Sequence, residues 1–311
     1  MYNGIINIYK EQGFTSHDVV AKLRGILKQK KIGHTGTLDP DATGVLPVCL
    51  GSATKLCDML TDKVKAYEAE FVLGKSTDTQ DISGTILNEV DIQKYKEWLG
   101  DEKITEAILS FVGKYDQLPP MYSAIKVNGK KLYELAREGK EVERKTRQVE
   151  ILSIDILKID FPYVSMRVEC SKGTYIRTLC HDIGEKLQVY GTMTKLERIK
   201  SGSFEIKDAI KLSKVEELVK GENDENKSGE SLKDYVVPAD SMFENLSAYA
   251  VPENQAKYLL NGNSLLIDKI MLKEDKHTEL VRVYDWDGKF VGVYKKIEKD
   301  KLLKPEKLFW E

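Results

Sequence analysis

The fifteen residues Gly33–Pro47 (GHTGTLDPDATGVLP) constrain this chain more than any other stretch. They hold three glycines, two prolines and two acids, Asp39 and Asp41. Glycine and proline at this density specify a loop whose backbone path is set by residue type. Pro40 confines Asp39 to extended or turn geometry. The Asp39 carboxylate is therefore held out on a stiff loop, which makes it a candidate nucleophile. The plainer reading is an Asp whose side chain closes an Asx-type turn.

The flanking segments supply a scaffold. Gly4–Tyr9 reads as a short apolar strand, and Thr15-Ser16-His17-Asp18 fits the capping box that opens a helix. Val19, Val20, Leu23, Ile26 and Leu27 then recur at helical spacing, with Lys28, Lys30 and Lys31 closing the helix where cations suit its dipole. Residues 53–60 look helical. Lys65–Leu73 alternates, placing Tyr67, Ala69, Phe71 and Leu73 on one strand face. Ser76–Asp81 is polar and reads as a solvated turn. Ile104–Val112 is an amphipathic helix with Phe111 and Val112 on its apolar face.

Residues 117–147 break this regularity. Leu118-Pro119-Pro120 interrupts, residues 124–127 resume a strand, Asn128-Gly129 signals a tight hairpin, and Lys131–Glu138 is a short helix stopped by Gly139. From Lys126 to Arg147 there are eight Lys or Arg against four Glu, a local +4 in a chain whose formal net charge is −2. Such a basic stretch with tyrosines nearby suits phosphate contacts, or else an ordinary charged surface. Two more strands, 149–159 and 163–170, bend at Phe161-Pro162. A strand-to-helix passage, CSKGTYIRTL at 170–179, follows. Gly221–Ser231 is polar and free of apolar residues, a linker by composition. Beyond Val237 the chain is β-rich, with a hairpin around Asp285–Gly288 and a Lys-rich tail.

His34-Thr35-Gly36-Thr37-Leu38-Asp39-Pro40, continuing through Ala42-Thr43-Gly44 to Leu46-Pro47, resembles the signature of the TruB family of tRNA pseudouridine synthases. The resemblance implies that Asp39 is the catalytic residue. It implies a second motif at Ser171–Leu179, in which Arg177 pairs with Asp39 and Tyr175 and Lys172 flank the site. It implies that Tyr67 stacks on a flipped uracil, that Leu196 lines the pocket, and that His34 enters the RNA loop. The run from Pro120 to Tyr133 is similar to the family's RNA-gripping insertion, with Lys126, Lys130 and Lys131 as backbone contacts. Glu197 departs from the Arg often found there, and Thr146 from a Pro.

The expected fold is α+β. A catalytic domain on a mixed or antiparallel sheet spans 1–220 with its insertion at 117–147. A linker covers 221–236, and a smaller β-rich, PUA-like RNA-binding domain covers 237–311. The expected activity is isomerisation of the uridine at position 55, in the T loop of tRNA, by a monomer in the cytoplasm without cofactor or metal. The four cysteines have no C-x-x-C spacing and are expected as free thiols. No signal peptide or apolar run of membrane length is read. Two other readings compete. Asp39-Pro40-Asp41-Ala42-Thr43 also fits D-x-D-x-T, the nucleophile motif of Mg²⁺-dependent dehalogenase-type phosphatases, but no buried apolar strand precedes it. A non-enzymatic RNA-binding protein would use the basic insertion and C-terminal region without needing the Asp39 carboxylate.

Overall fold

A computed structural model describes residues 1–61, 63–221 and 230–309. β1 (Gly4–Lys10) leads into α1 (Ser16–Leu27), and β2 (Ile32–His34) precedes the glycine-rich loop. The capping box forms: the Thr15 hydroxyl accepts from the Asp18 amide at 3.0 Å, and the Thr15 amide donates to Asp18 Oδ2 at 2.8 Å. α1 stops at Leu27 because Lys28 turns left-handed (φ 47°), so Lys30 and Lys31 lie beyond the helix rather than closing it. The loop feeds β3 (Thr43–Leu50), then a 3₁₀ turn and α2 (Cys57–Thr61).

β4 (Lys65–Leu73) runs through the middle of the sheet, and a hairpin of β5 (Lys75–Thr77) and β6 (Ile86–Glu89) follows. α3 (Lys96–Leu109) is kinked at Gly100. It ends before Phe111, and Val112 is 46 % exposed, so the apolar face expected over 104–112 stops short. β7 (Gly113–Gln117) enters the insertion. There β8 (Lys126–Val127) and β9 (Lys130–Lys131) close over Asn128 and Gly129, both at positive φ as a type I′ turn requires. The strand expected over 124–127 is thus shorter. α4 (Leu132–Arg137) completes the insertion, with Gly139 at φ 69° behind it. β10 (Arg147–Asp160) and β11 (Tyr163–Cys170) flank a cis Phe161–Pro162 peptide. Then come α5 (Ile176–Lys186), β12 (Gly191–Ser201), β13 (Phe204–Glu205), α6 (Leu212–Gly221) and β14 (Val236–Val237).

These strands form one mixed sheet in the order β14-β1-β3-β12-β4-β11-β10-β7, with β2 on β3 and β13 on β12. Its neighbours are antiparallel except β3 and β12, which touch in parallel at Thr43–Glu197 and Gly44–Arg198. The sheet is thus two antiparallel halves joined at one short seam, and the Asp39 loop enters β3 at that seam. One core cluster joins Leu38, Ala42, Tyr67, Leu196 and Ile176 with the interior of α3 and α5. Another packs α1 and α6 on β1 and β3.

Of the stretch expected as a linker, 222–229 lies outside the described residues. After it, Leu232 is fully buried and Val236–Val237 pairs with β1. The remaining chain builds a six-stranded sheet from β15 (Ser247–Ala250), β16 (Leu265–Leu266), β17 (Met271–Glu274), β18 (Leu280–Tyr284), β19 (Phe290–Ile297) and β20 (Leu302–Leu308). α7 (Ala256–Leu260) lies between β15 and β16. Phe243, Leu246, Val293 and Phe309 share an apolar cluster with Ile5, Val45, Cys49 and Leu56 of the first half, so the sheets pack on one another. The α+β architecture expected from the sequence is the one observed. Among the described residues no helix is long and apolar enough to cross a membrane.

Candidate active site

The glycine-rich loop is pinned from four elements. From β1, the Lys10 ammonium donates to the Pro40 carbonyl at 2.9 Å, and the Gly13 amide reaches the same oxygen at 3.0 Å. From α1, the buried Ser16 hydroxyl accepts the Leu38 amide at 2.9 Å. From α2, Thr61 donates to the Thr35 carbonyl at 2.9 Å. From β12, the Arg198 guanidinium donates to the carbonyls of Val45, Gly36 and Thr37 at 2.7, 3.4 and 3.5 Å. The Asp39 carbonyl accepts from the Ala42 amide at 3.1 Å, so the backbone does make a turn. The side chain goes elsewhere.

The Asp39 carboxylate meets Arg177 through both oxygens: Nε lies 3.0 Å from Oδ2, and Nη2 donates to Oδ1 at 3.3 Å. A guanidinium sharing two parallel bonds fixes a carboxylate in direction as well as charge. Arg177 is held in turn. Nη1 donates to the Thr79 carbonyl at 3.1 Å and faces Asp81 Oδ2 at 3.6 Å, and Nη2 donates to the Tyr122 carbonyl at 3.0 Å. The Arg177 side chain is 5 % exposed and that of Asp39 is 39 % exposed, so the pair is sealed behind the arginine and open at the carboxylate. The Asp39 pKa lies above the ordinary carboxylate value. Desolvation raises it most, the Arg177 charge opposes that rise, Asp81 adds to it, and Lys10 holds it down. Arg177 therefore limits the rise and does not reverse it. Lys10, fully buried, has its own pKa pulled down to about 8 by that burial.

Tyr67 and Leu196 belong to the same buried apolar cluster as Leu38 and Ala42 of the loop. Tyr67 is 7 % exposed, and burial pushes its hydroxyl up to about 12. It is a core aromatic and a neighbour of the Asp39 loop at once. Tyr175 stands at the N-cap position of α5, two residues before Arg177, without a capping hydrogen bond from its side chain. His34 Nδ1 accepts the Gly36 amide at 3.3 Å, and its ring lies edge-on to His17 at 5.5 Å. Burial lowers its pKa, helped by His17 and Arg198, which suits this neutral accepting role. Lys126 is exposed on the β8–β9 hairpin; Lys130 pairs with Glu138 at 3.3 Å, and Lys131 donates to the Tyr133 hydroxyl at 3.2 Å. Lys172 is exposed in the turn before α5.

Four residues at this site were not singled out from sequence: Lys10, Asp81, Gln117 and Arg198. Arg198 directly follows Leu196 and Glu197, the two residues that the family resemblance singles out there, so a signal existed. Asp81 lay in the stretch read as a solvated turn. In the structure Ser76 and Thr77 are buried, and Asp81 Oδ1 accepts from Thr79 and Ser83, turning its other oxygen to Arg177. The D-x-D-x-T reading also fails. Asp39 follows the three-residue β2 and an irregular loop, and Asp41 is exposed.

The TruB family pseudouridylate synthase N-terminal domain matches residues 24–176, the tRNA pseudouridylate synthase B C-terminal domain 177–244, and the pseudouridine synthase II TruB C-terminal region 248–309. The tRNA pseudouridine synthase B of Lachnoclostridium phytofermentans is 48 % identical over 99 % of both chains. The chain belongs to the TruB family. Another TruB-family relative, the tRNA pseudouridine synthase B of Clostridium kluyveri, is 45 % identical over 99 % of each. Among solved structures, a Cbf5-Nop10-Gar1 complex superposes with TM-score 0.71 at 27 % identity, covering 99 % of this chain and 85 % of that one. An H/ACA RNP bound to a substrate RNA containing 2′-deoxyuridine gives TM-score 0.71 at 25 % identity with the same coverage.

Proposed function

We propose that this TruB-family enzyme isomerises the uridine at position 55, in the T loop of tRNA, to pseudouridine, with Asp39 as the nucleophile. The observation that carries this reading is the Asp39 carboxylate, gripped through both oxygens by a buried arginine yet open on its other side. The reaction breaks the N1–C1′ bond and makes a C5–C1′ bond. Atoms and electrons balance within one nucleotide, so the chemistry needs neither a redox partner nor an energy source. The carboxylate attacks C6 and holds the base, or attacks C1′ and holds the sugar, or takes a proton from the sugar. In each route the base turns to bring C5 to C1′, after which C5 loses its proton and N1 ends protonated.

A uridine in a folded loop must leave its stack before it reaches Asp39, at a cost of roughly a few kcal/mol. Tyr67 stacks on the flipped base, Leu196 and Tyr175 wall the pocket, and His34 reaches the RNA loop. The Tyr67 hydroxyl is protonated at neutral pH, as an ordinary tyrosine is, and moves a proton late in the reaction. Residues 1–220 carry the chemistry. Lys172 and the insertion, through Lys126, Lys130 and Lys131, contact the T-arm backbone, and the β-rich region from 237 onward adds RNA contacts of the PUA type. The enzyme acts as a monomer in the cytoplasm.

Incubation with a tRNA transcript labelled in its uracil rings, followed by nucleoside analysis, tests this. Wild type should yield one pseudouridine, at position 55. Asp39→Asn should yield none while binding tRNA near wild-type strength, because affinity rests largely on phosphate contacts. Tyr67→Leu should lose both stacking and turnover. Substantial product from Asp39→Asn would remove Asp39 as the nucleophile.

A further inference from the structure

We propose that Gln117 is a positioning residue for the Asp39–Arg177 pair, and that through it the 117–147 insertion sets the geometry of that pair. This rests on the reading of Asp39 as nucleophile given above.

Gln117 is the last residue of β7, where the chain leaves the sheet to make the insertion, and it is 1 % exposed. Its amide meets both backbone groups of one residue. Oε1 accepts from the Tyr175 N–H at 2.8 Å, and Nε2 donates to the Tyr175 carbonyl at 3.0 Å. The second hydrogen on Nε2 goes to the Tyr115 hydroxyl. One acceptor and two donors are thus all engaged. A backbone N–H at the start of a helix needs a partner from outside it, and Gln117 Oε1 supplies that partner to Tyr175. The Tyr175 carbonyl already accepts the Leu179 amide within α5 at 3.1 Å and takes Gln117 Nε2 as a second donor. Arg177 stands two residues on, in the first turn of α5. A small rotation of that turn would swing the guanidinium off Asp39.

The same short segment returns to Arg177 from the other side. The guanidinium has five N–H donors. Its acceptors come from three places: the Asp39 carboxylate, the Thr79–Asp81 segment, and the Tyr122 carbonyl. Tyr122 lies five residues after Gln117, within the insertion. The insertion's two ends are tied as well, since Arg144 Nη1 donates to the Pro119 carbonyl at 3.0 Å. The Lys-bearing β8–β9 hairpin follows directly. A pull on that hairpin by bound RNA is therefore delivered to Tyr175 and Arg177 through Gln117 and Tyr122.

The test is single-turnover pseudouridine formation at saturating tRNA transcript by Gln117→Met and Gln117→Glu, with tRNA Kd measured separately. Stoichiometric titration with RNA counts the folded fraction, and rates are normalised to it. Met removes all three contacts; Glu keeps an acceptor for the Tyr175 N–H. The rate should fall about tenfold or more in Met and less in Glu, because misplacement of a reacting group by a fraction of an ångström is costly. Kd should stay within about threefold of wild type, since phosphate contacts are untouched. A wild-type rate in folded Gln117→Met overturns the proposal. So does a loss that falls equally on Kd and rate, which marks a packing role only. If Met does not fold, Glu decides: a reduced rate at unchanged Kd supports positioning, and a wild-type rate overturns it. Wild-type enzyme that makes no pseudouridine would sink the functional reading instead.

Discussion

At the scale of single residues, the site is governed by charge held out of water. Asp39 must be ionised to act as nucleophile, yet desolvation lifts its pKa above the ordinary value of about 3.9. The acid limb of kcat/KM should therefore lie above that value, with activity lost as pH falls through the raised pKa. Lys10 is a cation over that range and holds Asp39 down. Lys10→Gln keeps a donor for the Pro40 carbonyl and removes the charge. The carboxylate is then less favoured, and the limb should move to higher pH. A pH–rate profile of the two enzymes measures this; a limb that stays in place or moves to lower pH contradicts it.

Among elements, the seam between β3 and β12 carries most consequence. Glycine is needed at position 44 for two reasons. Its φ is +103°, and a Cβ there would sit 2.2 Å from the Arg198 carbonyl and 2.8 Å from its amide. Both obstacles are backbone, so neither can rotate away. Gly44→Ala should cost about 3 kcal/mol through overpacking and strain together. It should also loosen Arg198, whose guanidinium ties three loop carbonyls. Denaturant unfolding gives the first quantity and turnover per folded molecule the second. A change under about 1 kcal/mol would show that the seam can open without penalty.

Across the whole molecule, the two sheets share an interior. Phe290 and Phe309 stack at 5.3 Å between ring centres, both approach Phe243 at 6.0 Å, and the cluster continues into Ile5, Val45 and Leu56. Lys55 donates to the Leu308 carbonyl at 2.8 Å across the same boundary. Deleting residues 247–311 would expose several of these side chains, each worth roughly 1.5–3 kcal/mol when fully buried. The shortened chain should melt well below the full one and tend to aggregate. Equal melting temperatures in a thermal scan would mean that the shared cluster contributes little.

The sequence by itself determined the short-range features. Gly and Pro spacing specified the Asp39 loop, although the strands β2 and β3 claim both ends of Gly33–Pro47 and leave only 35–42 irregular. Thr15 to Asp18 specified the start of α1, Asn128-Gly129 the hairpin, and alternation the strand that carries Tyr67. These are legible because each depends on neighbours along the chain. The loop signature and the segment containing Arg177 also marked the family and a candidate pair 138 residues apart. Only the tertiary structure decided what surrounds that pair. Asp81 looked like a turn acid because its partner, Arg177, lies 96 positions away and leaves no local trace. Lys10 and Gln117 were silent for the same reason: each works by hydrogen-bonding distant backbone, a role that places no pattern on adjacent residues. Arg198 works the same way, and only its place beside Leu196 and Glu197 pointed to it. The Asp39 pKa follows the same division. Residue type supplied the carboxyl and its arginine, while the balance between desolvation and charge depended on how the folded chain excluded water around them.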